Sequence, residues 1–154
     1  MKVVILAGGW GTRLGKLSEL KPKPMALIGN KPIIWHIMKI YSRFGYKEFI
    51  ILCGVKSHMI KEFFRNYEAV NSDFTIDLSD NSLKYHQEHN ERDWKITLID
   101  TGLNTLKGGR LKRIEKYLDQ GTNMITYGDG LADIDINELV KFHQSHKKAV
   151  TITG

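Results

Sequence analysis

Cysteine occurs once in this chain of 154 residues, and proline and tryptophan three times each. The lone Cys53 has no partner for an intramolecular disulfide, so nothing requires an oxidising compartment. Long apolar runs are missing too. The stretch Met1 to Ala7 is too short for a signal peptide and far too short to span a bilayer, which reads as a cytoplasmic protein with no membrane partner. No repeat, low-complexity tract or linker interrupts the chain, so a single domain over 1–154 with a genuine core is expected. Ser, His and Asp, or Cys and His, form no recognisable nucleophilic arrangement. His143 and His146 sit three apart on one predicted helix without a third metal ligand, and His36 reads as a packed or hydrogen-bonded side chain. His86 and His89 carry no pattern.

What the chain has in excess is positive charge. Lysine and arginine total 23 against 17 acidic residues, a net +6. Such a surplus favours anionic partners without choosing among nucleic acid, membrane and small phosphorylated molecules. Nucleic acid is disfavoured, because no basic face is interleaved with the aromatics that single-strand binders use for stacking.

Hydrophobic patterning alternates between strand and helix. Val3 to Ala7 and Phe49 to Cys53 are continuous apolar runs, as in strands covered on both faces. Between them Ile34, Ile37, Met38 and Tyr41 fall at helical spacing, with Gly45 as a stop. Met59, Ile60, Phe63, Phe64 and Tyr67 mark a second helix. Phe74, Ile76, Leu78, Leu83 and Tyr85 alternate around an Asp80-Asn81 turn, which predicts a hairpin-like insertion at about 70–93. Ile96 to Ile99 is the next strand, Leu111, Ile114 and Leu118 a helix, and Met124 to Tyr127 a further strand. Asp135 is placed to cap a last helix with Glu138 completing a capping box. An apolar run, Ala149 to Thr153, follows. Strands joined through helices predict a doubly wound, mainly parallel α/β sheet, whose ligands sit beyond the carboxyl ends of the strands.

Three loops on that edge are unusual. After the first strand comes Gly8-Gly9-Trp10-Gly11-Thr12-Arg13. Glycines admit a polyphosphate close to the backbone, yet the spacing fits neither the G-x-G-x-x-G fingerprint nor the P-loop. Downstream, Lys21-Pro22-Lys23-Pro24 puts Lys23 on a stiffened loop, where a point charge can meet a phosphate at reduced ordering cost. The loop from Asp100 to Arg110 contains Thr105 and ends in Gly108-Gly109-Arg110. Arg110, nearest those glycines, is the better ligand candidate, while Lys112, Arg113 and Lys116 read as a solvent face. Tyr127-Gly128-Asp129-Gly130 closes the fourth strand and leaves room around one carboxylate for a hydrated Mg²⁺. Asp133 stays undecided.

Leu6 to Leu14 with Pro22-Lys23-Pro24-Met25 resembles the signature of sugar-1-phosphate nucleotidyltransferases. Lys31 to His36, Gly108 to Arg113 and Tyr127 to Gly130 narrow the likeness to their glucose-1-phosphate cytidylyltransferase branch. The resemblance covers essentially the whole chain. It implies a Rossmann-like nucleotide-binding sheet in which Leu6, Ala7, Gly8, Gly9, Trp10, Gly11, Thr12 and Arg13 wrap the nucleotide. It implies phosphate contacts from the catalytic Arg13 and Lys23, nucleotide contacts from Thr105, Arg110 and Gly128, and Mg²⁺ on Asp129. CTP and glucose 1-phosphate are the implied substrates, with CDP-glucose and pyrophosphate as products and a homo-oligomer as the assembly. Residue chemistry alone leaves CTP, UTP and dTTP open.

Family members continue well beyond residue 154, where a second metal carboxylate and much of the sugar-phosphate pocket lie. The chain is therefore expected to be a C-terminally truncated, nucleotide-binding portion. An alternative is a catalytically weak or inert nucleotide-binding module. Trp10 is also bulkier than the small aliphatic residue the family places beside those glycines.

Overall fold

A computed structural model describes residues 1–9, 21–86 and 89–153. Trp10, Gly11, Thr12 and Arg13 lie outside the described residues.

Strands β1 (Val3–Leu6), β4 (Glu48–Cys53), β7 (Lys95–Asp100) and β8 (Met124–Tyr127) form a four-stranded sheet in the order β7-β4-β1-β8. All its pairings are parallel. Period-2 alternation explains why the strand sequences are almost wholly apolar. Val3, Ile5, Ala7, Phe49, Ile51 and Cys53 pack on one face with Ile34, Ile37 and Met38 of α1 (Ile33–Arg43) and Ile60 of α2 (Ser57–Arg65). Val4, Ile50 and Leu52 pack on the opposite face with Ile114, just past α4 (Lys107–Arg113). Both faces are thus covered by crossover helices, as the sequence pattern predicts.

Local signals account for most boundaries. Gly45, at φ +89°, ends the run after α1 in a backbone conformation that side chains disfavour. The Lys56 left-handed residue precedes α2, and α3 (Tyr67–Asn71) follows it directly. Residues 74–85 form the expected antiparallel hairpin, β5 (Phe74–Asp77) with β6 (Ser82–Tyr85), with Asn81 in the turn at φ +58°. A shorter ladder joins β2 (Leu27–Ile28) to β3 (Lys31–Pro32).

Asp135 caps α5 (Ile136–His146), its Oδ1 accepting from the Glu138 amide at 3.0 Å. The Glu138 carboxylate accepts from Lys141 at 2.6 Å. The apolar run at 149–153 has no regular secondary structure. Among the described residues no helix is long and apolar enough to cross a membrane.

Cys53 ends β4 fully buried, and burial pushes its thiol up to about 11, with Asp100 adding to the shift and Lys61 and Arg110 opposing it. An unfolded thiol ionises near about 8.5. The folded value is the higher one. The stability linked to this group is therefore complete below the unfolded pKa and is lost as pH rises through about 11. The native protein should give no reaction with a thiol reagent near neutral pH and one equivalent in guanidinium chloride. Denaturant midpoints should also fall across the alkaline window. Rapid labelling of the native chain near pH 7 would contradict this placement.

Candidate functional site

Parallel strands bring their carboxyl ends to one edge, and there the loops after β1, β7 and β8 border a cavity of about 460 Å³. Leu6, Ala7, Gly8 and Gly9 line it from β1, and Lys23 and Pro24 from the stiffened loop. Leu103 to Lys107 and Arg110 line it from the β7 side, and Tyr127 and Asp129 from β8. Gly128 does not line the cavity. It packs beneath it, donating its amide to the Leu6 carbonyl at 3.0 Å. A Cβ at Gly128 would stand 3.0 Å from Pro24 Cγ.

Lys23 opens a 3₁₀ turn, Lys23–Met25, between two buried prolines, Pro22 and Pro24. Met25 donates its amide to the Pro22 carbonyl and Ala26 donates to Lys23, so the loop is pinned on both sides. The Lys23 ammonium stands 3.7 Å from Asp129 Oδ2, and the two side chains are 21% and 42% exposed. The cation and the carboxylate singled out from separate motifs are therefore neighbours. Among the described residues no group of three or more metal-ligating side chains occurs, and Asp129 is the carboxylate that lines the cavity.

Arg110 lies lower. It is 5% exposed, with Nη1 donating to the Cys53 carbonyl (3.1 Å) and Thr101 Oγ1 (2.6 Å). Its Nη2 donates to the Gly8 carbonyl (2.9 Å) and the Leu103 carbonyl (3.2 Å). Burial lowers its pKa and the like charge of Arg113 adds to that, against the pull of Asp100. A guanidinium nevertheless stays ionised.

Three contributors escaped sequence reasoning. Arg113 stays exposed, as expected, but also donates to the Thr101 carbonyl and, at 2.8 Å, to Thr105 Oγ1. Lys107 crosses the cavity to donate to the Tyr127 hydroxyl at 2.9 Å and lies over that ring at 4.9 Å. Gly54, directly after β4, has no space for a side chain: its Cβ would fall 2.5 Å from the Gly8 carbonyl oxygen and 2.8 Å from Gly8 Cα. Each is a long-range relation that spacing along the chain does not reveal. Lys112 and Lys116 do stay on the surface, Lys112 paired with Glu115 at 2.6 Å.

Elsewhere, His143 and His146 both meet the Thr151 hydroxyl at 2.8 Å, and His36 Nε2 bonds the Ile28 carbonyl region at 3.0 Å. Asp133 belongs to a separate cavity of about 660 Å³ beside the end of α1, where none of the expected nucleotide residues lies.

The nucleotidyl transferase family profile matches residues 2–154. The chain belongs to the nucleotidyl transferase family. It is 51% identical to the glucose-1-phosphate cytidylyltransferase of Salmonella typhimurium over all of its own length and 60% of that protein's. With the probable glucose-1-phosphate cytidylyltransferase of Bacillus subtilis it shares 45% identity, again over 60% of the relative. The chain thus spans about 60% of the length of these relatives.

Solved structures carry the same family fold. HddC from Yersinia pseudotuberculosis complexed with GMP-PN superposes with a TM-score of 0.66 at 25% identity, over 92% of this chain and 53% of that one. A putative glucose-1-phosphate thymidylyltransferase from Bacillus anthracis gives a TM-score of 0.70 at 20% identity, over 96% and 51%. The parallel sheet with helices on both faces is the α/β nucleotidyltransferase fold of the family.

Gly54→Ala tests the crowding behind the cavity. Two of the three clashing atoms belong to the Gly8 backbone and the third is Arg110 Nη1, so relief requires the β1 loop to move. Overpacking of this kind costs on the order of 1–3 kcal/mol. Urea unfolding should show a loss of that size, and an unchanged midpoint would mean that the loop gives way freely.

Proposed function

We propose that the chain is the nucleotide-binding portion of an enzyme that transfers a cytidylyl group from CTP to glucose 1-phosphate. CDP-glucose and pyrophosphate are the products. The observation that carries this reading is the single cavity at the strand ends, where Leu6 to Gly9, Lys23, Thr105 and Asp129 come together. The two cytidylyltransferase relatives, at 51% and 45% identity, support cytosine as the base and glucose as the sugar.

An oxygen of the sugar phosphate attacks the α-phosphorus of CTP. A new oxygen–phosphorus bond forms as the bond to the β-phosphate bridging oxygen breaks, and pyrophosphate leaves with that electron pair. The protein forms no bond, so its task is positioning and neutralising charge. Among the described residues nothing stands within 4 Å of where a Gly9 Cβ would lie, so the ligand can approach its exposed backbone. Lys23, held by its flanking turns, offsets negative charge on the α-phosphate and the departing pyrophosphate. Arg13, outside the described residues, is assigned to the same phosphates by the family likeness.

Asp129 suits a divalent ion by the chemistry of its donor set: one half-exposed carboxylate at the phosphate side, with the remaining positions left to phosphate oxygens and water. Mg²⁺ bound there would polarise the phosphoryl oxygens and neutralise part of their charge.

The exposed apolar residues of the 74–85 hairpin, among them Ile76 and Leu78, support a homo-oligomer. The substrates are soluble metabolites, which fits a cytoplasmic protein. Among the described residues Asp129 is the carboxylate that lines the cavity, and the chain is expected to bind CTP there.

Pyrophosphate release with each nucleoside triphosphate, Mg²⁺ and glucose 1-phosphate tests the assignment, on this chain and on one extended to the relatives' length. CTP should be preferred by the extended protein; no release with any nucleotide would end the proposal. In that protein Lys23→Ala should lower kcat on the order of 10²-fold with the fold intact, since preorganised cations contribute on that scale. Turnover close to wild type would remove Lys23 from the mechanism. Asp129→Asn should abolish the strengthening of CTP binding by Mg²⁺ in calorimetry, and a retained Mg²⁺ effect would place the ion elsewhere.

A further inference from the structure

Among the described residues two lysines line the cavity, and they are held differently. Lys23 faces a carboxylate, Asp129, at 3.7 Å. Lys107 meets a neutral phenol instead: its ammonium donates to the Tyr127 hydroxyl at 2.9 Å and lies 4.9 Å from the centroid of that ring.

Neither contact neutralises the ammonium. A phenol is uncharged and a π face offers only its quadrupole, so the full positive charge stays available to an anion. An ammonium also has three N–H donors, of which the Tyr127 hydroxyl takes one. Exchanging the phenol for a phosphate oxygen replaces a neutral acceptor with a charged one, and hydrogen bonds of that kind are roughly twice as strong.

Position adds to the argument. Lys107 opens α4 beyond β7, and Tyr127 ends β8, at the opposite edge of the order β7-β4-β1-β8. The bridge between them therefore spans the exits of β4 and β1, where Gly8 and Gly9 bring backbone to the cavity. Lys107 is exposed and Tyr127 is 51% exposed, so the two side chains can part without disturbing the core. A nucleotide entering between Leu6–Gly9 and the 103–107 loop meets this ammonium.

We propose that Lys107 is a further substrate-binding residue. It rests on Tyr127 in the free protein and is drawn off that ring by the phosphates of the bound nucleotide, so its contribution grows with the ligand's charge. The family likeness implies no contact for this lysine. The proposal rests on the nucleotide reading above and extends it by one cation.

Lys107→Met keeps the length of the stem and removes the charge. In calorimetry on this chain CTP should bind the variant about fivefold or more weakly, with CMP less affected and cytidine unchanged. An equal loss for cytidine and CTP would place Lys107 on the nucleoside. Unchanged CTP affinity would leave it out of binding, and a gain for every ligand would make the bridge a bar across the entrance. Each of those results overturns the proposal. Tyr127→Phe keeps the ring and removes the hydroxyl, so CTP affinity should be retained or improved. A loss matching that of Lys107→Met would show that the nucleotide needs the intact bridge and not the released cation.

NMR of the wild-type chain reads the release directly. The Lys107 Hε signals should lie upfield in the free protein, under the ring current of Tyr127. They should return to ordinary lysine positions at saturating CTP but not at saturating cytidine. Upfield signals that persist with CTP would also overturn the proposal. Failure of the wild-type chain to bind any nucleoside triphosphate would instead sink the nucleotide reading, and this proposal with it.

Discussion

Backbone crowding at the carboxyl end of β1 is the constraint on which the rest of this structure depends. β1 has parallel neighbours on both sides, so its exit is hemmed in by the exits of β4 and β8. The Ala7 amide reaches the Leu52 carbonyl at 3.1 Å, and the Gly128 amide reaches the Leu6 carbonyl at 3.0 Å. Where the three exits converge, residues must be small. Ala7, Gly8, Gly54 and Gly128 meet that demand from three separate parts of the sequence. The cavity exists because these positions contribute backbone and almost no side chain.

Crowding of this kind buries carbonyl oxygens that need donors. Arg110 supplies four hydrogen bonds to that layer from one residue, three to carbonyls and one to the Thr101 hydroxyl. Thr101, fully buried, donates its own hydroxyl to the Cys53 carbonyl at 2.8 Å. Arg113 repeats the device one turn later by holding the Thr101 carbonyl and Thr105 Oγ1. Two arginines three residues apart on one short helix therefore hold the whole β7 loop, and the helix could not shift without releasing it.

The sheet was readable in the residues because burial on both faces writes itself as unbroken apolar runs, and the helices because their inward stripes recur at 3.6 residues. Turn chemistry exposed the hairpin through Asp80-Asn81, and capping chemistry exposed α5 through Asp135. Loop positions followed from the parallel topology, so Lys23, Thr105 and Asp129 could be assigned to one rim in advance. What residue type could not convey was direction. Arg110 reads as a ligand candidate beside two glycines, yet its guanidinium turns inward to acceptors set by distant loops. Gly54 carries no signal along the chain because the atom it avoids, the Gly8 carbonyl, lies 46 positions away in sequence (54 − 8). Lys107 and Tyr127 meet across the cavity from opposite edges of the sheet, a relation that only strand order creates.

The positive charge of the cavity is consequently of two kinds. Arg110 is buried, and its hydrogen bonds act on the protein. Lys23 is partly exposed and faces Asp129 at 3.7 Å, in the regime where ion pairs contribute about 0–1 kcal/mol. An interaction that weak leaves the ammonium available to a more highly charged anion. A triphosphate carries several charges and can outcompete one solvated carboxylate for it. Under the proposed function the loosely held Lys23 can leave the carboxylate for the phosphates, while the buried Arg110 stays in place. A net charge of +6, counted along the chain, says nothing of that division.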